Sequence, residues 1–173
     1  MLEIFHITSP FKAINIAEKR RYKSLNEYGG YDAGMNFIGE LGEYRNTQPK
    51  GRGAKLHVIW RGEISDPVQF DECNCNRPNV LYDYNGSGEH FPNNDPRYFL
   101  PYGSSGLRVT KIEFENEEAL IEGWAHYKKS WPLWLYNKKL FKPLLKRLAL
   151  TSQRRLNQAI NAGEVVIDIC RQR

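Results

Sequence analysis

Apolar and polar residues alternate over several short stretches of the chain, and a period of two residues is typical of β-strands. The alternation predicts strands at "LEIFHIT", "MNFIGE", "AKLHVIWRG", "NVLYDY", "LRVTKIEF" and "EVVIDIC". The first of these ends at Thr8-Ser9-Pro10, and Ser-Pro favours a helix start because proline fits the first helical position. His6 therefore lies near the C-terminal end of a strand that leads directly into a helix, where ligand groups often occur. A buried histidine bonded to the backbone is the alternative interpretation.

Helical periodicity, in which apolar residues recur every three or four positions, is present in four segments. These segments are 10–25, 116–130, 132–150 with an interruption at Pro143, and 152–161. Asn116 is a suitable N-cap for the second helix, and Ala162-Gly163 is a suitable end for the last one. The order strand, helix, several strands, helices and strand predicts an α+β fold with a mixed or antiparallel sheet and flanking helices. A length of 173 residues predicts a single domain over 1–173.

The segment 71–106 has a different composition from the rest of the chain. It is rich in Asn, Pro, Gly and Tyr, and its only strand-like run is "NVLYDY". We therefore expect a long irregular excursion over 71–106. Irregular segments of this length in compact domains are usually functional or mobile.

The net charge of +5 is unevenly distributed along the chain. No Asp or Glu occurs between Gly123 and Gly163, a stretch that contains many Lys and Arg residues. This basic helical region, 123–163, predicts an anionic partner, which is either a nucleic acid or an acidic protein surface. Its tryptophans and leucines recur at helical spacing and are expected in the core. Lys138, Lys139 and Lys142 are therefore the predicted partner-binding residues.

No apolar run approaches the roughly 18 residues of a membrane span. The first residues lack a charged stretch followed by an apolar one, so we expect no signal peptide and a cytoplasmic location. The three cysteines are interpreted as free thiols. Cys73 and Cys75 are separated by one residue, which does not fit the ligand spacing of structural zinc sites, and no metal site is predicted.

Three separated pieces of the sequence resemble one known fold. His6 stands in "FHITS" before a helix, "AGMNF" follows a glycine-rich turn about thirty residues later, and Glu164 begins the last strand in "AGEVVIDI". This order resembles the ADP-ribosyltransferase fold of the His-Tyr-Glu kind. That fold includes poly(ADP-ribose) polymerases, DNA-modifying toxins of toxin–antitoxin systems, and small phage transferases that disable CRISPR complexes. The resemblance covers the two ends of the chain and implies a split sheet.

The resemblance implies a role for each matching residue. His6, with Thr8 beside it, would bind the nicotinamide-side ribose of NAD, and Glu164 would stabilise the positive charge that develops on that ribose as nicotinamide leaves. Asn36 and Phe37 would line the pocket, although Asn36 stands where the family has a tyrosine. Tyr44 is the nearest candidate for the aromatic residue that stacks on the nicotinamide ring.

The function implied by the resemblance is NAD-dependent ADP-ribosylation of a macromolecule, either a protein or a nucleic acid. A bacterial toxin or a phage counter-defence factor acting in the host cytoplasm would fit this activity. The alternative is a non-enzymatic basic protein that binds or inhibits a nucleic acid or an acidic protein surface. A third possibility is a transferase fold without the chemistry, which the substitution at Asn36 keeps open. Release of nicotinamide from NAD distinguishes the first possibility from the other two.

Overall fold

The computed structural model describes residues 1–24, 34–39, 53–69, 75–86, 97–128 and 141–171. These residues form a single α+β domain, as the order of predicted elements indicated. Their strands are β1 (Leu2–Thr8), β2 (Arg21–Ser24), β3 (Gly34–Ile38), β4 (Ala54–Trp60), β5 (Glu63–Pro67), β6 (Val80–Asp83), β7 (Arg97–Pro101), β8 (Leu107–Phe114) and β9 (Val166–Arg171). Their helices are α1 (Pro10–Lys19), α2 (Glu117–Lys128) and α3 (Lys142–Asn161).

The described strands make one mixed sheet in the order β2-β9-β8-β4-β1-β3-β7-β6-β5. Most neighbours are antiparallel, while the two outermost pairs, β2 with β9 and β5 with β6, are parallel. β1 lies in the interior of the sheet, with β4 on one side and β3 on the other. The first strand of the chain therefore joins the two halves of the sheet.

The main core lies between one face of the sheet and the three helices. Ile4, Leu56, Val109 and Ile167 of four neighbouring strands are fully buried there, together with Trp124 of α2. The indole Nε1–H of Trp124 donates to Oε1 of Gln153 in α3 at 2.9 Å. A buried donor of this kind is costly to leave unpaired, so the bond fixes how α3 sits on α2.

A smaller apolar cluster lies on the opposite face of the sheet. Val80, Tyr82 and Tyr84 of the β6 region pack there against Phe99 of β7, and the rings of Tyr84 and Phe99 stack at 6.2 Å. Cys75 is buried in the same cluster and belongs to a disulfide, whereas Cys170 is a free thiol. The expectation of free thiols is therefore wrong for Cys75.

The first helix ends earlier than its periodicity predicted. α1 stops at Lys19, and Arg20 adopts a left-handed conformation with φ of 52°. The chain then pairs in parallel with β9, so that Tyr22 lies opposite Ile169. The predicted helix over 10–25 is wrong beyond Lys19, because pairing with a strand distant in the sequence replaces the last helical turns.

The described parts of the segment 71–106, which are 75–86 and 97–106, contain two strands. They contribute β6 within the predicted run "NVLYDY" and also β7, which pairs with β3 along five residues from Gly34 opposite Pro101 to Ile38 opposite Arg97. A five-residue strand that ends in proline gives little local signal. The long-range partner β3 determines its structure.

The helical region near the C-terminus also differs from the expectation. α3 is continuous through Leu150, Thr151 and Ser152, where two separate helices were predicted. Pro143 lies in its first turn, where a missing backbone N–H has no cost, and so does not interrupt it. The cap of α2 is as predicted, since the Asn116 side chain accepts a hydrogen bond from Ala119 N–H at 2.8 Å.

Candidate functional site

His6 lies on the helix-covered face of the sheet, near the C-terminal end of β1. The residue opposite His6 on the neighbouring strand β4 is Leu56, which is fully buried. The His6 side chain itself is only half-buried. Its Nδ1 is 2.8 Å from the backbone carbonyl oxygen of Asn36 in β3. A carbonyl oxygen only accepts, so Nδ1 carries the proton, and in the neutral ring Nε2 is then the hydrogen-bond acceptor.

The His6 bond occurs where β1 and β3 separate. Within the described residues the two strands share one register pair, Phe5 opposite Ile38, whereas β1 pairs with β4 along all seven residues from Leu2 to Thr8. At His6 the imidazole, and not a backbone N–H of β1, hydrogen-bonds to the Asn36 carbonyl of β3. The ends of β1 and β3 therefore separate at the His6 side chain.

Two aromatic rings lie beside the imidazole. The ring of Phe37 is 6.1 Å from that of His6 and that of Tyr22 is 5.4 Å away, both edge-on. Phe37 is buried and belongs to the main core, so it packs against the inner side of the imidazole. Tyr22 is half-buried. We call His6, Tyr22, Phe37 and the Asn36 carbonyl the His6 notch.

Tyr22 was not predicted as a site residue, because its segment has the periodicity of the end of α1. The left-handed turn at Arg20 that moves it into β2 has no clear sequence signal, since arginine rarely adopts this conformation. Its contact with His6 is therefore a tertiary feature that only the structure reveals.

The other predicted pocket residues near His6 contribute unequally. Thr8 is on the same face as His6, opposite Ala54, and is 6% exposed. Asn36 alternates with Phe37 along β3, so its exposed side chain points to the other face, and its contribution to the His6 notch is the main-chain carbonyl. Tyr44 lies outside the described residues.

Glu164 and His6 share no hydrogen bond or ion pair within the described residues, and the ion pair of Glu164 is with Arg20. Val165, the residue after Glu164, lies in one row across the sheet with Ile4 of β1, with β8 and β4 in between. The sheet is strongly curved, since Tyr22 of β2, which pairs with β9, contacts His6 of β1.

Glu164 instead lies beside the turn that follows α1. Its Oε2 is 3.7 Å from Nη2 of Arg20, and both side chains are more than half exposed. Arg20 is two residues before Tyr22, whose ring touches His6. The chain from Arg20 to Tyr22 thus links the Glu164 carboxylate to the His6 notch.

The predicted partner-binding lysines fall at the start of α3. Lys142 is the first residue of that helix and is exposed. Lys138 and Lys139 lie outside the described residues.

A second histidine, His57, occupies the opposite face of the sheet. It lies across from Phe5 of β1, and its Nε2–H donates to Oε2 of Glu113 at 3.1 Å. Lys111 donates to the same oxygen at 3.2 Å. Hydrogen bonds from Lys111 and His57 lower the pKa of Glu113, although partial burial opposes the shift.

The lowered pKa of Glu113 predicts a pH dependence of stability. A carboxylate whose folded pKa lies below its unfolded value of about 4.3 stabilises the fold above that value, and this contribution disappears as the pH falls through the folded pKa. We expect Glu113→Gln to lower the free energy of unfolding at pH 7, and the difference from the wild type to shrink towards pH 3. Urea unfolding of both proteins between pH 7 and pH 3 measures this difference in the free energy of unfolding.

Glu115→Gln is the matched control for this prediction. Glu115 is exposed, two residues further along the chain, and has no ion pair within the described part of the protein. A difference between Glu113→Gln and the wild type that grows on acidification would contradict the assignment.

The described ranges contain no group of three or more His, Cys, Asp and Glu side chains placed to hold a metal ion. None of the helices in these ranges is both long and apolar enough to span a membrane.

No family model, curated protein or solved structure matches this chain.

Proposed function

We propose that the protein is an NAD-dependent ADP-ribosyltransferase that modifies a macromolecule, and that NAD binds at the His6 notch. The observation that carries the proposal is the bond of 2.8 Å between His6 Nδ1 and the Asn36 carbonyl. This bond holds a half-exposed histidine at a strand end, beside the "AGMNF" strand that the family resemblance pairs with it.

The His6 notch has the groups that a nucleoside requires. With Nδ1–H bonded to Asn36, the neutral His6 ring presents Nε2 as an acceptor, and a ribose hydroxyl is a suitable donor. The half-buried ring of Tyr22 offers an aromatic surface to a planar base next to that ribose.

The family resemblance assigns His6 and Glu164 to the same nicotinamide-side ribose of NAD. Glu164 forms an ion pair with Arg20, and Arg20 is two residues before Tyr22, whose ring contacts His6. We assign the pyrophosphate of NAD to the guanidinium of Arg20, a cation at this junction.

The role of Glu164 in the chemical step rests on the family resemblance. Transfer breaks the bond between the ribose C1′ and the nicotinamide nitrogen, and nicotinamide leaves with the bonding electrons. The acceptor nucleophile then forms a bond to C1′ and loses its proton. A carboxylate beside the sugar lowers the barrier because positive charge develops there in the transition state.

A pair of histidine variants tests this proposal. We expect the wild type to release nicotinamide from NAD, alone or with cell extract. His6→Asn is expected to raise the dissociation constant for NAD about tenfold, the effect of losing one good hydrogen bond. His57→Asn removes a histidine from the opposite face of the same sheet and is expected to leave NAD binding unchanged.

Calorimetric titration with NAD and thermal unfolding are measured on the same preparations. If His6→Asn binds NAD like the wild type, or if both variants lose binding equally, NAD does not bind at the His6 notch. Absence of nicotinamide release from the wild type under both conditions would contradict the transferase activity.

A further inference from the structure

The helix α3 carries an uncompensated positive charge on its outward face. It contains five cationic side chains and no carboxylate: Lys142, Lys146, Arg147, Arg154 and Arg155. The inward face, formed by Leu145, Ala149, Gln153, Leu156 and Ile160, is buried against the rest of the domain. The helix geometry therefore directs the three arginines away from the core.

The cations of α3 differ in their partners. Lys146 is neutralised by Glu117 of α2, with Nζ and Oε2 2.7 Å apart. Arg147, Arg154 and Arg155 are exposed, and within the described residues no carboxylate lies within ion-pair distance of them. Some exposed cations elsewhere in the described residues have such partners, whereas others, such as Lys12 and Arg61, do not.

Examples of paired cations are Arg77 with Glu63 and Lys111 with Glu113. The distinction of α3 is that three unpaired arginines lie on one helix that contains no carboxylate.

The spacing of these arginines suits a phosphodiester backbone. Arg147 and Arg154 are seven residues apart, so they project from the same side of the helix at about 10.5 Å. That distance corresponds to roughly three nucleotides at 3.4 Å per step. Gln158 lies on the same side and offers an amide, a common donor to phosphates and sugars, while the Thr151 hydroxyl donates to the Arg147 carbonyl at 2.8 Å.

We propose that this face of α3, formed by Arg147, Arg154, Arg155 and Gln158, binds the phosphate backbone of a nucleic acid. The inference does not depend on NAD chemistry, although a bound nucleic acid would also be a substrate for the proposed transferase. Arginine favours this partner because its planar guanidinium binds phosphate oxygens in pairs.

An acidic protein surface fits this face less well. Protein interfaces have an apolar centre, with the charged residues around its rim. The exposed apolar side chains of α3 are Leu144 and Leu148, which are 54% and 40% exposed and lie towards its N-terminal end. Two leucines are far smaller than the apolar patches of several hundred Å² that mark protein docking sites.

The helix is a rigid platform, so the arginines can be changed without loss of the fold. Its buried side chains and the Trp124–Gln153 bond hold it in place, and none of them involves an arginine. Exposed substitutions away from such contacts usually change stability by about 0.5 kcal/mol or less.

The test is binding of fluorescein-labelled 20-nucleotide DNA, as single strand and as duplex, and of the corresponding RNA, without NAD. Fluorescence anisotropy is measured between 50 and 200 mM salt. Three phosphate contacts predict a slope of log affinity against log salt of about −2 for single strands and about −2.7 for duplex DNA.

Arg147→Gln/Arg154→Gln/Arg155→Gln is expected to weaken binding at 50 mM salt by about tenfold or more and to flatten the slope. The matched control, Arg61→Gln/Arg77→Gln/Lys111→Gln, removes the same number of charges outside α3. We expect it to retain binding within about threefold, since it removes no phosphate contact. Circular dichroism confirms that both variants are folded.

The inference would be overturned if the wild type failed to bind any of the oligonucleotides, or if the two triple variants lost affinity equally. It would also be overturned if poly-glutamate competed as effectively as the oligonucleotides. The last result would assign α3 to an acidic protein partner. None of these results depends on whether NAD binds or reacts, so the inference and the transferase proposal fail separately.

Discussion

Glu164→Gln is expected to lower the rate of nicotinamide release by about 10²–10³-fold while leaving the affinity for NAD nearly unchanged. Glutamine keeps the shape of the side chain and removes the negative charge. An electrostatic group that acts on charge developing in the transition state affects the chemical step by an amount of this size. The fold should survive, because the ion pair with Arg20 is exposed and such pairs contribute about 0–1 kcal/mol.

Glu63→Gln is a closely matched control for this variant. The Glu63 carboxylate is 59% exposed and lies 3.7 Å from Arg77, while that of Glu164 is 60% exposed and lies 3.7 Å from Arg20. We expect Glu63→Gln to retain full activity. Normal nicotinamide release by Glu164→Gln, with unchanged NAD binding, would remove Glu164 from the mechanism.

Gly34→Ala is expected to destabilise the fold by about 3 kcal/mol, a large effect for a single methyl group. An added Cβ would meet the carbonyl oxygen of Leu100 at 2.5 Å and would overlap the ring of Phe99. The carbonyl belongs to the ladder between β3 and β7, in which Gly34 pairs with Pro101, so it cannot move without breaking the register. Phe99 is 5% exposed and has little space into which to move.

Gly106→Ala separates this steric cost from the conformational one. Gly106 has φ of 85° and no neighbour within 4 Å of its would-be Cβ, so an alanine there costs only about 1–2 kcal/mol of backbone strain. Urea unfolding of both variants measures the difference. Equal destabilisation by Gly34→Ala and Gly106→Ala would contradict the close approach of β3 and β7 at Gly34.

The elements that were predicted correctly carry their signal in consecutive residues. β4 alternates over its whole length between core positions such as Leu56 and Val58 and the opposite face, and the cap at Asn116 marks the start of α2. β2 and β7 were not predicted because their structure depends on distant partners. β2 pairs with β9 near the other end of the chain, and β7 is a five-residue strand placed by β3.

The same distinction applies to the candidate site. The strand end at His6 and the strand from Gly34 to Phe37 were recognised separately, and the structure brings them together through the Asn36 carbonyl. The position of Glu164 relative to His6 was not predictable, because it depends on the strand order, in which β8 and β4 lie between β9 and β1. The strand order is a tertiary property, and no local pattern in "AGEVVIDI" encodes it.

The central claim, that NAD binds at His6, is tested most directly by the imidazole signals of the four histidines. Histidine-labelled protein is titrated with NAD and followed by NMR, with His6→Asn and His57→Asn used to assign the two sheet histidines. We predict that NAD shifts the His6 ring signals in a saturable way and leaves those of His57 unchanged, because His57 lies on the opposite face of the sheet. A titration in which the His6 signals stay in place, or move no more than those of His57, would contradict the claim.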